Sequence, residues 1–342
     1  MKRLQMEEIR EIYNLFSDDL SKYIFENRLM YSLTMDTKFM RNVVRTVDRA
    51  KEIYIRLKEN KRKVGIFGAG YAGKYLFEAF KGIEFECYID NKCYGGMCKG
   101  LPIISWQEFK EKYPEGIVMI SSKLYHKEIL QQLLDEGFPE KDIINAGKAI
   151  EELKYLQYFD LPQLEEKRQE KEIFIDAGCY DGNTSIEFFD WCQKKGHVYA
   201  WEPDPLNFEK CEQLFRSKGI SYQLIPKGLW SEPKELKMKM GGDCSTITDK
   251  DWDISIGVDS IDRLIEEPAT FIKMDIEGSE FEALLGAEKM ISQHKPKLAI
   301  CVYHKPEDIW EIPCLIHKFN PEYRFYLRHY AFSWNETVLY AL

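Results

Sequence analysis

The sequence is poor in features that define whole classes of protein. Its 342 residues contain no apolar run near the roughly 18 residues that a membrane helix needs, so no membrane span is expected. The first residues, Met1-Lys-Arg-Leu-Gln-Met-Glu-Glu-Ile9, lack an apolar leader, and a cytoplasmic location is expected. Glycine (21) and proline (13) are too scarce for a fibrous or disordered chain. The nine cysteines include no C-x-x-C pair. Cys87, Cys93 and Cys98 lie close together, but their spacing is not that of a zinc site, and reduced thiols are the simpler expectation. A basic excess is missing too. Lys+Arg number 48 against 57 Asp+Glu, a net charge of −9, and residues 171–342 hold 20 basic and 29 acidic side chains. A duplex-binding face carries a basic stripe, so nucleic acid is not the expected partner.

What is present reads as an α/β protein of about two domains, at 100–200 residues each. Residues 1–60 read as helices. Ile9, Ile12, Tyr13 and Phe16 repeat at helical spacing, a second set (Leu20, Tyr23, Ile24, Leu29) follows a cap at Ser17 or Asp18, and a third runs through Val43, Val44, Val47, Ile53 and Ile55. These helices are expected to serve packing or homo-oligomer contacts. From Lys61 the texture changes. The β-rich runs Val64–Phe67, Phe85–Ile89 and Ile117–Ile120 alternate with helical stretches, which predicts a small parallel α/β domain over 61–150. Residues 151–170 read as a charged helical linker. A second alternation fills 171–342, with strands at 173–176, 198–201, 222–225, 271–275, 298–303, 324–330 and 337–342. The last two leave no room for a crossover helix and should pair antiparallel, closing a doubly wound sheet.

Gly68-Ala-Gly70-Tyr-Ala-Gly73 fits G-x-G-x-x-G in the required place, after a strand and before a helix. Gly68 permits the tight turn, Gly70 lets backbone approach a phosphate, and Gly73 lets helix and strand pack closely. Asp90 ends the next strand, 22 residues after Gly68, where an acid can accept from ribose hydroxyls. A nucleotide is therefore the expected ligand here, with sugar nucleotide and NAD both open.

Ile173-Phe-Ile-Asp-Ala-Gly-Cys-Tyr-Asp-Gly-Asn-Thr-Ser185 is a second glycine loop with a wider spacing. Asp176 ends a buried strand and can hold a cationic amine, while Gly178 and Gly182 give a bulky ligand access to backbone. Glu202, at the next strand end and 26 residues after Asp176, can accept from both ribose hydroxyls. S-adenosylmethionine has that amine and ribose and no phosphate, so it fits better than a dinucleotide. Phe271-Ile-Lys-Met-Asp-Ile-Glu-Gly-Ser-Glu280 delivers Asp275, Glu277 and Glu280 to the same carboxyl-end crevice.

Two resemblances follow from these residues. Residues 171–342, half of the chain, resemble an FkbM-type methyltransferase through Asp176–Gly182, Glu202-Pro-Asp204, Lys273–Glu280 and Glu336-Thr-Val-Leu-Tyr340. The resemblance implies a class I methyltransferase fold, S-adenosylmethionine as donor, and O-methylation of a sugar or related hydroxyl. It implies that Asp176, Gly178, Gly182 and Asp275 lie against the cofactor, that Glu202 holds its ribose, and that Gly228, in the turn Lys227–Trp230, lies near the adenine. Residues 61–150 resemble the sugar-nucleotide-binding domains of bacterial sugar acyltransferases through Gly68–Gly73, Tyr88-Ile-Asp-Asn91 and Gly100–Ser105.

A sugar hydroxyl is a poor nucleophile near neutral pH, so proton removal helps methyl transfer. His304 ends its strand beside the one that ends in Asp275 and is the first candidate base, with Asp275 and Glu277 as alternatives. Asp275, Glu277 and Asp243 are also candidates to hold a divalent cation that polarises the hydroxyl. The loop Gly241–Thr246 is a candidate part of the acceptor pocket. The expected function is an S-adenosylmethionine-dependent methyltransferase acting on a saccharide or sugar nucleotide in polysaccharide biosynthesis. The competing readings are an NAD(P)-linked oxidoreductase built on 61–150 and a non-catalytic nucleotide- or sugar-binding protein.

Overall fold

The computed structural model describes residues 6–242 and 245–342. Two compact units divide the chain. The smaller comprises Leu33–Gln157 and His329–Glu336, and the larger comprises the chain up to Ser32, Tyr158–Arg328 and Thr337–Leu342.

In the smaller unit, β1 (Val64–Phe67), β2 (Phe85–Ile89), β3 (Met97–Cys98), β4 (Leu101–Ile104), β5 (Ile117–Ile120) and β6 (Ile143–Asn145) form one sheet in the order β3-β4-β2-β1-β5-β6. All neighbours are parallel except β3 and β4. β1 and β5 are buried at every position, as apolar runs must be when helices cover both faces of a parallel sheet. The helix Tyr71–Ala79 follows β1 directly. A Cβ at Gly73 would stand 2.0 Å from Gly68 O, so this position admits only glycine, for the close helix–strand packing that its spacing predicts. The expected helix through Val43–Ile55 is two, Thr37–Val44 and Asp48–Glu59. Thr46 separates them by turning its N–H and hydroxyl back onto Val43 O.

The larger unit holds β7 (Glu172–Ala177), β8 (Gly196–Trp201), β9 (Tyr222–Ile225), β10 (Gly228–Leu229), β11 (Lys234–Lys239), β12 (Thr246–Ile247), β13 (Ile254–Asp259), β14 (Phe271–Met274), β15 (Lys297–Cys301), β16 (Phe325–His329) and β17 (Thr337–Ala341). Seven of these form the order β16-β17-β15-β14-β7-β8-β9. The five from β15 to β9 are parallel, and β17 is antiparallel to β15. Reciprocal bonds between Arg324 and Leu342, and from Tyr330 N to Glu336 O, make β16 and β17 the expected antiparallel pair.

The remaining strands, in the order β10-β13-β11-β12, form a separate four-stranded sheet that the sequence reading passes over. β11 reads Lys-Glu-Leu-Lys-Met-Lys, and only Met238 is fully buried. Its charges read as surface, yet Leu236 and Met238 keep the period-2 alternation of a half-buried strand.

The unit borders also differ from those expected after residues 60, 150 and 170. The helix Asp19–Thr34 joins the larger unit through Arg28, which donates to Thr337 Oγ1 at 2.6 Å, and through Ser21 Oγ, which accepts from Leu327 N. The stretch read as a linker carries Tyr158, a buried residue of the larger unit.

Candidate active site

The site lies in the larger unit, at the carboxyl ends of β7, β8, β14 and β15. β7 is buried throughout, so Asp176 is buried with it, at 0% exposure. Its Oδ1 accepts from Lys273 Nζ at 3.0 Å and its Oδ2 from Ser185 Oγ at 2.7 Å. The carboxylate expected to meet a ligand's amine is therefore turned inward onto a lysine of β14. Lys273 Nζ also donates to Gly178 O at 2.8 Å, so one ammonium ties the strand end to the loop. Burial opposes its charge, but Asp176 and Asp275 outweigh burial and raise its pKa.

The loop after β7 turns at Gly178 (φ +76°), where a Cβ would stand 2.2 Å from Asp275 O. Gly182 opens the helix Asn183–Trp191. The two glycines thus bring the loop against the ends of β14 and the helices, and a ligand there meets backbone. Glu202, just past β8, is 5% exposed. Its oxygens accept from Tyr180 N and Asp204 N, both at 2.9 Å. Burial pushes its pKa up to about 7 against the pull of these two bonds. Each oxygen keeps a second lone pair, which suits paired ribose hydroxyls. Glu202 and the loop backbone at Gly178 are therefore groups that could hold S-adenosylmethionine, whose ribose offers paired hydroxyls.

Gly228 is buried within β10, parallel to β13, and neighbouring Lys227 pairs with Asp259. The loop expected to line the acceptor pocket is tied to the start of the helix Pro205–Lys218: Asn207 Nδ2 donates to Gly242 O and Ser245 Oγ to Asp204 Oδ2. Asp243 lies outside the described residues.

Asp275, Glu277 and His304 come together as their spacing predicts. Donor atoms of all three lie within 4.8 Å of one another, and they form the one such group of metal-ligating type among the described residues. His304 Nε2 is 3.5 Å from Asp275 Oδ1 and 3.6 Å from Glu277 Oε2, and its Nδ1 is 2.9 Å from Glu280 Oε1. These are close charge contacts, for neither ring nitrogen makes an aligned hydrogen bond. Burial opposes protonation of His304, but the carboxylates of Glu277, Glu280 and Asp275 prevail and push its pKa up to about 11. In that protonated form the ring has no lone pair with which to take a further proton.

Two tyrosines that the sequence does not link to Asp275 hold it. Tyr158 Oη donates to Oδ2 at 2.9 Å and Tyr303 Oη to Oδ1 at 3.1 Å. Burial would raise the Asp275 pKa, but Lys273, His304 and these hydroxyls hold it below the usual carboxylate value. Tyr303 directly precedes His304, just past the end of β15, and that adjacency is a usable signal. Tyr158 has none, because its contact spans 117 residues.

The smaller unit's glycine loop is formed as its spacing predicts, and Asp90 serves it locally. Oδ1 accepts from Lys92 N and Cys93 N and Oδ2 from Ala69 N. Burial would raise its pKa, but these three bonds lower it. At Gly70 nothing lies within 4 Å of where a Cβ would stand.

Residues 176–333 match the family model described as the methyltransferase FkbM domain. A crystal structure of methyltransferase FkbM from Methylobacillus flagellatus KT is 21% identical, with a TM-score of 0.50, over 91% of this chain and 100% of that one. Aeropyrum pernix fibrillarin, solved with natively bound S-adenosyl-L-methionine, is 12% identical at a TM-score of 0.36, over 57% of this chain and 76% of that one. A putative rRNA-methylase from Clostridium thermocellum is 11% identical at 0.36, over 56% and 91%. Among curated proteins none matches the chain. The fold is that of the class I methyltransferases, and the family match supports an S-adenosylmethionine-dependent methyltransferase. No helix of the described residues is long and apolar enough to cross a membrane.

Proposed function

We propose that the protein methylates a hydroxyl oxygen of a saccharide or sugar nucleotide. The observation that carries this reading is the gathering of Asp275, Glu277 and His304 at two adjacent strand ends, next to the loop at Gly178. When bound, S-adenosylmethionine supplies a methyl group on positively charged sulfur. The chain's part is to hold the reactants in line, which can supply much of the acceleration. Glu202 accepts from the ribose hydroxyls, and the backbone at Gly178 sets the depth of the crevice. The C–O bond forms as the S–C bond breaks, giving a methyl ether, S-adenosylhomocysteine and the hydroxyl proton. The carboxylates around His304 favour its protonated form, which leaves Asp275 and Glu277 as the alternative proton acceptors. The carboxylates of Asp275 and Glu277 are 22% and 28% exposed, so an acceptor hydroxyl can reach them.

The loop Gly68–Gly73 of the smaller unit is, separately, the proposed recognition point for a nucleotide. The open space at Gly70 supports it. The test is an incubation of the purified protein with methyl-labelled S-adenosylmethionine and a panel of free sugars and UDP- and GDP-sugars, read as label in a methyl ether. Transfer to nitrogen or carboxyl acceptors and to no saccharide hydroxyl sinks the reading.

A further inference from the structure

We propose that Asp275, Glu277 and His304 hold one divalent cation of the Mn2+ kind, which takes an oxygen of the acceptor. The inference rests on the hydroxyl-methylating reading above and assigns its acidic trio a task. The trio alone would be a cluster of convenient residues. The state of His304 makes it more than that. Its side chain is 9% exposed, and Nε2, which lacks an aligned hydrogen bond, stands 3.5 and 3.6 Å from the two carboxylates. A buried polar group without a partner is costly, and a cation between Nε2 and the carboxylates supplies that partner.

The surroundings are those of a metal ligand set. Metal-bound histidines usually turn their other nitrogen to a carboxylate, which fixes the ring. His304 Nδ1 has Glu280 Oε1 at 2.9 Å, and Glu280 is fixed in turn by Ile276 N, which donates to the same oxygen. Ligating carboxylates are likewise held by neighbours, and Asp275 has a tyrosine hydroxyl on each oxygen. Glu277 adopts φ +53°, a left-handed conformation uncommon outside glycine. Such backbone persists where the surroundings enforce it, often at functional sites, and here it belongs to the residue that completes the trio.

Charge and geometry choose the ion. A bound cation displaces the proton that the carboxylates otherwise favour on His304, and two carboxylates and a neutral imidazole then sum to −2, which a divalent cation cancels. Carboxylates favour Mg2+ and Mn2+, and imidazole shifts the preference towards transition metals, so Mn2+ suits the mixed set. Adjacent ligands on an octahedral ion of this size stand about 3 Å apart. The contacts of 3.5 and 3.6 Å close to that with small side-chain movements. Three ligands leave three positions open, enough for a hydroxyl oxygen, a neighbouring oxygen of the same acceptor, and water. Binding to the cation lowers the hydroxyl's pKa and orients it. As the C–O bond forms and the S–C bond breaks, the hydroxyl proton leaves to solvent over the exposed side of Glu277.

The test is titration of the purified full chain, stripped with chelator, with Mn2+ and no other ligand, following free Mn2+ by electron paramagnetic resonance. One equivalent should bind the wild type. Glu277→Gln and Glu280→Gln should each weaken binding tenfold or more, and His304→Ala should abolish it. Glu277 is exposed on one side, so Glu277→Gln keeps the test valid if His304→Ala does not fold. No binding up to millimolar Mn2+, or equal binding by wild type and Glu277→Gln, overturns the proposal. Calorimetry with S-adenosylhomocysteine on the stripped protein separates the two readings. S-adenosylhomocysteine binding with full methyl transfer in excess chelator overturns the cation and leaves the methyltransferase reading standing. Mn2+ held by the trio, with no methyl ether formed on any hydroxyl, supports the cation site and overturns hydroxyl methylation.

Discussion

Lys273 and Asp176 form an ion pair of 3.0 Å with side chains 3% and 0% exposed. It joins β14 to β7 at the mouth of the crevice. Breaking a buried pair by removing one partner leaves an uncompensated charge and costs about 3–5 kcal/mol. Lys273→Met should therefore destabilise the protein by that order in urea unfolding and weaken S-adenosylhomocysteine binding, because the loop carbonyl of Gly178 loses its donor as well. Adding Asp176→Asn should restore part of the stability. A loss below about 1 kcal/mol for Lys273→Met would show that water reaches the pair.

Gly178 tests whether the loop's depth matters. Alanine there would place its Cβ 2.2 Å from Asp275 O on a backbone at φ +76°. Both effects push the loop away from β14, and an incompatible Gly→Ala change costs more than about 1 kcal/mol. Gly178→Ala should lower S-adenosylhomocysteine affinity at least tenfold by calorimetry while far-ultraviolet circular dichroism is kept. Unchanged affinity would mean that the cofactor does not depend on this turn.

The fold was legible wherever one residue type had one job. The buried runs at β7, β14 and β15, the glycine required at 73 and the antiparallel strands at the C-terminus are local patterns. The trio of Asp275, Glu277 and His304 was legible because parallel strands bring their carboxyl ends to one edge. What escaped is what tertiary contact decides. Asp176 reads as a ligand-facing acid until Lys273, 97 residues on, turns it inward. Tyr158 hides in a charged stretch, and β11 hides behind its lysines. The pKa of His304 depends on three carboxylates gathered around one ring, which no local spacing reveals.

Glu202 carries a pH dependence of definite sign. Its carboxyl is raised from 4.5 to about 7 by burial, so the folded protein holds its proton over a range where the unfolded chain has lost it. That contribution is fully present below about pH 4.5 and is lost as pH rises to about 7, by up to about 3 kcal/mol. Glu202→Gln removes the titration, so the wild-type stability minus that of the variant should fall across this window and stay level above it. Accepting from both ribose hydroxyls at once, with both oxygens, favours the ionised form, because a protonated carboxyl turns one oxygen into a donor. S-adenosylhomocysteine affinity should therefore rise towards pH 7 in the wild type and stay flat in Glu202→Gln. Parallel profiles for the two proteins would remove Glu202 from the ribose.

Tyr158 and Tyr303 should act as positioning residues through Asp275. Each hydroxyl donates to a charged carboxylate oxygen, a bond worth about 1.5–3 kcal/mol. Phenylalanine keeps the ring, and Tyr158 is only 5% exposed, so packing should survive the change. Tyr158→Phe and Tyr303→Phe should each lower kcat by roughly tenfold or more, with the KM for S-adenosylmethionine nearly unchanged, because neither hydroxyl touches Glu202 or Gly178. The double variant should lose more than either single one, since the two hydroxyls hold different oxygens of one carboxylate. A rise in that KM with kcat intact would mean that the tyrosines support cofactor binding. A full rate in both single variants would mean that Asp275 is held well enough by Lys273 and His304 alone, and that its two hydroxyl partners serve only the packing of the crevice floor.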